Sequence, residues 1–417
     1  MRAYIVAASD FERNAERRLR WGDYWLKRNL ARALEAGGWT VDERLDDATD
    51  VLIHCYGGVT IGNLPAHTYN VLYIHSHPAQ LADFDFRMYD RVVAGSERLA
   101  EQLRAQGVEA TWNIGATDFV PMDVPIEHDA VFVGNNRGGM RPIIAALGDL
   151  TTLPFKLEVW GEGWECLPAG IWQGEYIPYD ELNRLYASSA VVLNDTHADM
   201  VAAGIINPRV LDATAAGAMV IDEGTEDIRG AVLRAIEQRR AGWRPRDEVV
   251  PRYSDLAQVL CAKIRPRLRV DLGCGRHKRA GFLGIDRLQL DGVDMVWDVR
   301  DGLPFGDGTV DYVVADNLME HIGEDFIYLM NRLHRALRTG GRLTIIVPGV
   351  HAPMAAFSDP THVRWFTPET WDYFDHAHPR WQEYGQNYGI RPWKVLRCEV
   401  RDRFIDVVLQ PVKETAT

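Results

Sequence analysis

The sequence predicts an α/β chain of three successive units, each built on a mostly parallel sheet, and three observations carry that expectation. Short apolar runs alternate with amphipathic runs of helical spacing from the first residues onward. The alternation breaks twice, in the acidic, proline-containing stretch "ATDFVPMDVPIEHD" and again in "GWRPRDEVVPRYSDLAQVLCAKIRPR", which sets expected units at 1–124, 125–264 and 265–417. The third unit opens on "RVDLGCG", Arg269 to Gly275: a short strand with an acid near its end and then a glycine turn, as in nucleotide-binding α/β units.

In the first unit, "RAYIVAA" reads as a buried strand, and "WGDYWLKRNLARALEAGG" as an amphipathic helix with a Gly-Gly stop. "WTVDER", "DVLIHCYG", "NVLYIHSHP" and "RVVAGS" read as further strands, followed by the helix "ERLAEQLRAQG". In the second unit the alternation runs through "AVFVGNN", "RPIIAALGDL", "FKLEVWGEG", "YDELNRLYASS", "AVVLND", "NPRVLDATAAG" and "AMVIDEG", with "EDIRGAVLRAIEQRR" as the last helix before the break. The third continues through "FLGID", "VDMVWDV", "VDYVVADNLMEHI", the helix "EDFIYLMNRLHRALRTGG" and "RLTIIVP". "WKVLRCEV" and "DRFIDVVLQPV" lie close together and are expected to pair antiparallel at the edge of that sheet.

Composition narrows the function. A formal charge of −13 over 417 residues argues against a nucleic-acid backbone as partner, since binding there requires a dense basic surface. The five cysteines are scattered without a CxxC pair, so neither a zinc site nor a disulfide framework is expected, and no metal site is assigned. His376 and His378 lack a third ligand in the sequence reading. The beginning of the chain lacks the apolar core of a signal peptide, and no run approaches the roughly 18 apolar residues of a membrane span, so a cytoplasmic location is expected.

Two adjacent parallel units form a cleft, and ligands bind beyond the carboxyl ends of the strands. "FVGNNRGGMR" places Gly134, Asn135, Asn136 and Arg137 just after a strand, a backbone-rich and cationic setting suited to a diphosphate. "INPRVLDATAAG" puts Asn207 before a helix that starts at Pro208, with Arg209 and Asp212 a turn apart on one face. An arginine there can fork onto a phosphate, and a carboxylate one turn on can accept ribose hydroxyls. "YIPYDELNRLYASSAVVLND" together with "GIINPRVLDATAAGAMVIDEG" resembles the donor-binding half of GT-B glycosyltransferases, in particular the CgeB-like group, and the likeness extends over about residues 1–262. The resemblance implies a GT-B pair of Rossmann-like domains, with Tyr176 to Tyr179 near the donor base, Arg209 near the diphosphate and Asp212 at the ribose, where many relatives carry glutamate. Asp23, His75 and His77 lie at expected strand or loop ends facing the cleft, and any of them could be the base that deprotonates an acceptor hydroxyl.

In the third unit Gly273 and Gly275 allow a ligand close to the strand end, and Asp286 closes the second strand where it can bond ribose hydroxyls. Between Gly275 and Phe282 there is no room for the usual helix, and the GxGxxG dinucleotide pattern is absent. With "WDVRDGLPFGDGTVDYVVADNLMEHI" and "LHRALRTGGRLTIIVP", the segment resembles a class I S-adenosylmethionine-dependent methyltransferase. That resemblance implies that Asp271, Gly273 and Gly275 hold the methionine part, Asp286 the ribose and Asp298 the adenine side, with Asn317, Glu320 and His321 facing the methyl. "FSDPTHVRWFTPETW" is similar to an acceptor loop of some such enzymes, so that His362 or His321 could take the proton of a sugar hydroxyl. Cys274 reads as a packing residue.

The combined expectation is a bifunctional enzyme. It would use a nucleotide-diphosphate sugar and S-adenosylmethionine, with a glycan, a small molecule or protein serine and threonine as acceptor. The alternative is a methyltransferase carrying a noncatalytic sugar-binding module.

Overall fold

The computed structural model describes residues 1–62, 64–243 and 250–413, so part of the second connector lies outside the described residues. The first sheet comprises β1 (Arg2–Ala7), β2 (Thr40–Asp42), β3 (Val51–Tyr56), β4 (Tyr69–Ile74), β5 (Arg91–Ala94) and β6 (Ala110–Trp112), in the order β2-β1-β3-β4-β5-β6. Every pairing in it is parallel. All of β3, "VLIHCY", is buried, as a central parallel strand covered on both faces should be.

The helix Gly22–Ala36 turns Leu26, Leu30 and Leu34 into the core as one stripe. Beside it lies the helix Tyr253–Cys261, whose Tyr253, Leu256, Ala257 and Leu260 complete the same core. The sequence reading takes this stretch as connector, because prolines and charges flank it. Its apolar residues nonetheless fall at helical spacing, and the chain returns to the first sheet after finishing the second.

The second sheet, β7 (His128–Val133), β8 (Leu157–Trp160), β9 (Trp172–Gly174), β10 (Ser189–Asn194) and β11 (Met219–Asp222), has the order β11-β10-β7-β8-β9 and is also wholly parallel. The helix Pro208–Ala216 starts as the sequence expects. The Asn207 side chain accepts from Arg209 N, proline takes the first position, and Gly217 in the left-handed region (φ 95°) ends it.

The third sheet contains β12 (Arg269–Leu272), β13 (Leu283–Asp286), β14 (Met295–Val296), β15 (Val310–Asp316), β16 (Leu337–Pro348), β17 (Trp393–Arg401) and β18 (Phe404–Pro411), ordered β14-β13-β12-β15-β16-β18-β17. β18 runs antiparallel to both of its neighbours, so the expected terminal pair is present. One face is covered by the helix Phe326–Ala336 and by Phe366, Trp371, Phe374 and Ile390.

The other face has no helix between β12 and β13 or between β13 and β14, and it packs directly on the first unit. Phe282, Tyr312, Val314, Leu396 and Val408 join Val6, Leu52, Leu64, Ala66 and Met88 in a single apolar cluster. Three buried arginines fasten its rim. Arg269 pairs with Asp50 at 3.1 Å and donates to the Asp47 and Thr49 carbonyls, while Arg267 and Arg342 share Asp90 at 3.2 and 3.1 Å. The helix for which the sequence leaves no room is thus replaced by a neighbouring domain.

Candidate active sites

The first site lies at the carboxyl ends of β7 and β10. Gly134 N donates to Trp160 O, and a side chain at Gly134 would sit 2.8 Å from an Arg209 guanidinium nitrogen, so glycine lets that arginine cross the strand end. Arg209 Nε donates to Val133 O at 2.9 Å and Nη1 to Asn194 Oδ1 at 2.8 Å, with the guanidinium over the Phe132 ring. Arg141 grips Asp195, Nε to Oδ2 being 2.9 Å, and donates to Asn135 O.

Arg137 is different: its backbone is left-handed (φ 60°), and among the described residues no carboxylate lies within ion-pair distance of it. Desolvation, followed by repulsion from Arg141 and Arg209, pushes its pKa down to about 10. Asn136, Arg137, Arg141, Asp195, His197 and Glu223 line a cavity of about 520 Å³. Asp195 is engaged by Arg141, and desolvation raises the Glu223 carboxyl. With Arg141 taken up by Asp195, the Arg137 guanidinium faces the open cavity without a carboxylate partner among the described residues, which suits an anionic ligand.

The first unit approaches this site through His77. His77, left-handed at φ 53°, puts its ring 5.2 Å from that of His197. His75 is held neutral, its pKa lowered to about 4 by burial, and its Nε2 has no partner. Asp23, in the first turn of its helix, accepts from Ser9 N at 2.8 Å, and burial raises its pKa.

Of the sequence-predicted residues, Arg137 lines the cavity; Gly134, Asn135 and Arg209 sit at the adjoining strand end, His77 reaches His197 from the first unit, and Asn207 both caps its helix and donates to Asp195 O. Tyr179 and Asp212 do not line the cavity. Tyr179 stacks on Trp25 at 4.3 Å and its hydroxyl accepts from Asn29. Asp212 accepts from the Thr117 hydroxyl at 2.5 Å, and desolvation pushes its pKa up to about 7. Sequence reasoning missed Arg141, from the loop after β7, and Asp195 and His197, from the loop after β10; the signal was the position of "NDTH" after a strand.

The second site lies at the ends of β12, β13 and β15. Gly275 N donates to Asp286 Oδ2 at 3.0 Å, and Leu288 N to the other oxygen at 2.9 Å. Gly273 and Gly275 both have positive φ (68° and 52°), and open space lies where a side chain at Gly275 would project. This is a backbone cradle with a carboxylate at its lip. Arg279, from the shortened turn, bonds Asp271 at 3.2 Å and Asp316 at 2.8 Å, tying two strand ends together, a role that the sequence reading did not assign. Asn317, left-handed at φ 51°, donates to Asp316, while Asp298 caps the next turn and pairs with Arg300. The buried Cys274 thiol is pushed up to about 11, consistent with packing rather than reactivity.

Beside the cradle, the turn Met319–His321 is tied to the loop after β16. Val363 N and Arg364 N both donate to Glu320 O, at 2.9 and 3.1 Å. This brings His362 alongside His321, with ring centroids 4.9 Å apart, and next to the buried Glu320 carboxylate. Desolvation raises the Glu320 pKa to about 7.

Comparison with known proteins agrees with both halves. Residues 138–231 match a family model described as glycosyl transferase-like, and residues 280–345 match one described as a methyltransferase domain. The chain thus carries a glycosyltransferase-like domain and a methyltransferase domain, on Rossmann-like parallel sheets. Among solved structures it is similar to a SAM-dependent methyltransferase from Archaeoglobus fulgidus (16% identity, 34% of this chain and 86% of that one, TM-score 0.26). It is also similar to the 1,6-didemethyltoxoflavin-N1-methyltransferase of Burkholderia thailandensis (16%, 36% and 72%, 0.26). A third is an S-adenosylmethionine-dependent methyltransferase from Mesorhizobium loti (15%, 38% and 96%, 0.23). No curated protein matches the chain. Among the described residues no helix is long and apolar enough to cross a membrane.

Proposed function

We propose that the chain is a bifunctional enzyme that transfers a sugar from a nucleotide-diphosphate donor to an acceptor and methylates a hydroxyl of the glycosylated product. The observation that supports the first half is the cavity beside the ends of β7 and β10, lined by Arg137 and Arg141 with Arg209 fixed at the neighbouring strand end, which offers space for a diphosphate. Guanidinium groups fixed there would stabilise the charge of the leaving diphosphate without a metal. His77, whose ring lies 5.2 Å from that of His197, would receive the acceptor proton.

For the second half, the Gly273–Gly275 cradle and the Asp286 carboxylate fit the amino-acid and ribose parts of S-adenosylmethionine. That cofactor, when bound, supplies the methyl group. Asp286 orients the ribose, Arg279 keeps Asp271 and Asp316 in place, and His321 and His362 stand where a proton must leave an acceptor hydroxyl. Tethering raises the effective concentration of the glycosylated intermediate at the methylating site.

A second reading is favoured by one observation: Arg209 already bonds Val133 O and Asn194 Oδ1, so the first half could be a noncatalytic sugar-binding module. Incubation with a panel of nucleotide sugars separates the two. Release of nucleoside diphosphate, reduced by about 10- to 150-fold in Arg137→Ala for the loss of one charged hydrogen bond, supports catalysis. No release with any donor, alongside intact methylation, supports the module. Mass spectrometry of the product should then show a sugar increment followed by one methylene.

A further inference from the structure

We infer that Glu320, His321 and His362 form a binding site for a divalent transition-metal cation beside the methyl-donor cradle. The ligand-capable atoms of these three side chains all lie within 4.8 Å of one another. Glu320 is 1% exposed, yet neither of its carboxylate oxygens has a hydrogen-bond partner. A buried carboxylate left without donors is costly, whereas a cation between it and two imidazoles would satisfy both oxygens at once.

The histidines are oriented for the task. His362 Nδ1 lies 2.9 Å from the Ala356 carbonyl, which can only accept, so Nδ1 carries the proton and Nε2 keeps its lone pair. That Nε2 stands 4.0 Å from Glu320 Oε1 and 3.9 Å from Asp359 Oδ2. His321 Nδ1 lies 3.1 Å from the Thr361 hydroxyl oxygen and 3.3 Å from the Thr361 carbonyl; because that hydroxyl gives its proton to Asp359 Oδ1 at 2.6 Å, both oxygens accept from Nδ1 and Nε2 keeps its lone pair. A carbonyl fixing the tautomer from behind is the usual support of a metal-ligating histidine.

The backbone holds the group in register. Val363 N and Arg364 N are bonded to Glu320 O, and the Arg364 guanidinium is bonded to the Ile322 and Gly323 carbonyls, so the two loops cannot separate without breaking several bonds. Two imidazole nitrogens and one carboxylate, with Asp359 within reach, favour Zn²⁺, Mn²⁺ or Fe²⁺ over Ca²⁺ or Mg²⁺, which prefer all-oxygen sites. Such a set leaves coordination positions open for an oxygen donor. On the methyl-transfer reading proposed above, that donor is the acceptor hydroxyl, and the bound cation would then replace the two imidazoles as the means of releasing its proton, by acidifying the hydroxyl toward Asp359 or solvent.

The test uses the full chain stripped with chelator and titrated with Co²⁺, without sugar or methyl donor. The expected result is one equivalent of Co²⁺ per chain, with the visible ligand-field bands of a nitrogen-and-oxygen site, displaceable by Zn²⁺ and raising the unfolding temperature. His362→Ala and His321→Ala should each abolish those bands, and the partly exposed His321 makes its variant the safer one for folding. A spectrum unchanged from aqueous Co²⁺, or equal binding in both variants, overturns the proposal. Because S-adenosylmethionine binding is measured separately, failure here is distinguishable from failure of the methyltransferase reading.

Discussion

Two carboxylates, Asp286 at the end of β13 and Asp212 in the middle of the helix Pro208–Ala216, do different work. Asp286 accepts from two backbone amides and has lone pairs to spare for a diol. Asp286→Ala should lower affinity for S-adenosylmethionine by about 10- to 150-fold, the range for lost hydrogen bonds to a charged group, as read by calorimetry. Asp212 is raised to about 7 because desolvation outweighs the Thr117 hydroxyl and Arg209. Its folded-state pKa exceeds the ordinary carboxylate value, so between about pH 4 and pH 7 the native state holds a proton that the unfolded chain has released. Stability from this group therefore falls as pH rises through that window. The unfolding temperature of Asp212→Asn should fall less over the same range than that of the wild type, and parallel curves would refute the assignment. The cap at Asn207 was legible in the sequence because it is a local rule, three residues long. Arg141, Asp195 and His197 were not, since nothing in their spacing announces that the loop after β7 will meet the loop after β10.

At the scale of elements, the helix Tyr253–Cys261 is the clearest departure from the sequence reading. Polar and proline-rich neighbours obscured a buried stripe of Tyr253, Leu256, Ala257 and Leu260. Leu256 is completely buried between this helix and the first sheet, so Leu256→Ala should cost about 2–5 kcal/mol in a denaturant titration. A cost near zero would mean that the helix contributes nothing to the first unit. By contrast, the alternation of strands and helices was readable almost throughout, because fully buried parallel strands such as β3 and β10 are written as continuous apolar runs. The short edge strands β6 and β9 escaped notice, having three residues each and little burial.

In the whole molecule, the third sheet is not a self-sufficient domain. Its Phe282, Tyr312, Val314, Leu396 and Val408 are covered by the first unit, and Arg267, Arg269 and Arg342 find their acids there. Residues 265–417 expressed alone would expose that apolar face and lose the ion pairs that fix its rim. Such a fragment should aggregate or bind an apolar dye; a monodisperse, cooperatively unfolding fragment would disprove the dependence. The sequence hinted at this only through the missing helix after Gly275, because a sheet face without its own cover must borrow one.

The same attachment decides what can move. The chain passes between the first and second units twice, before β7 and again before the helix Tyr253–Cys261, and both that helix and the third sheet are anchored to the first unit. Any swing that opens the cleft to admit a donor must therefore pivot the five-stranded unit alone. The Gly273–Gly275 cradle stays fixed to the sheet that carries His75 and His77, so if the chain performs both proposed reactions, the passage from one site to the other runs along a stationary platform.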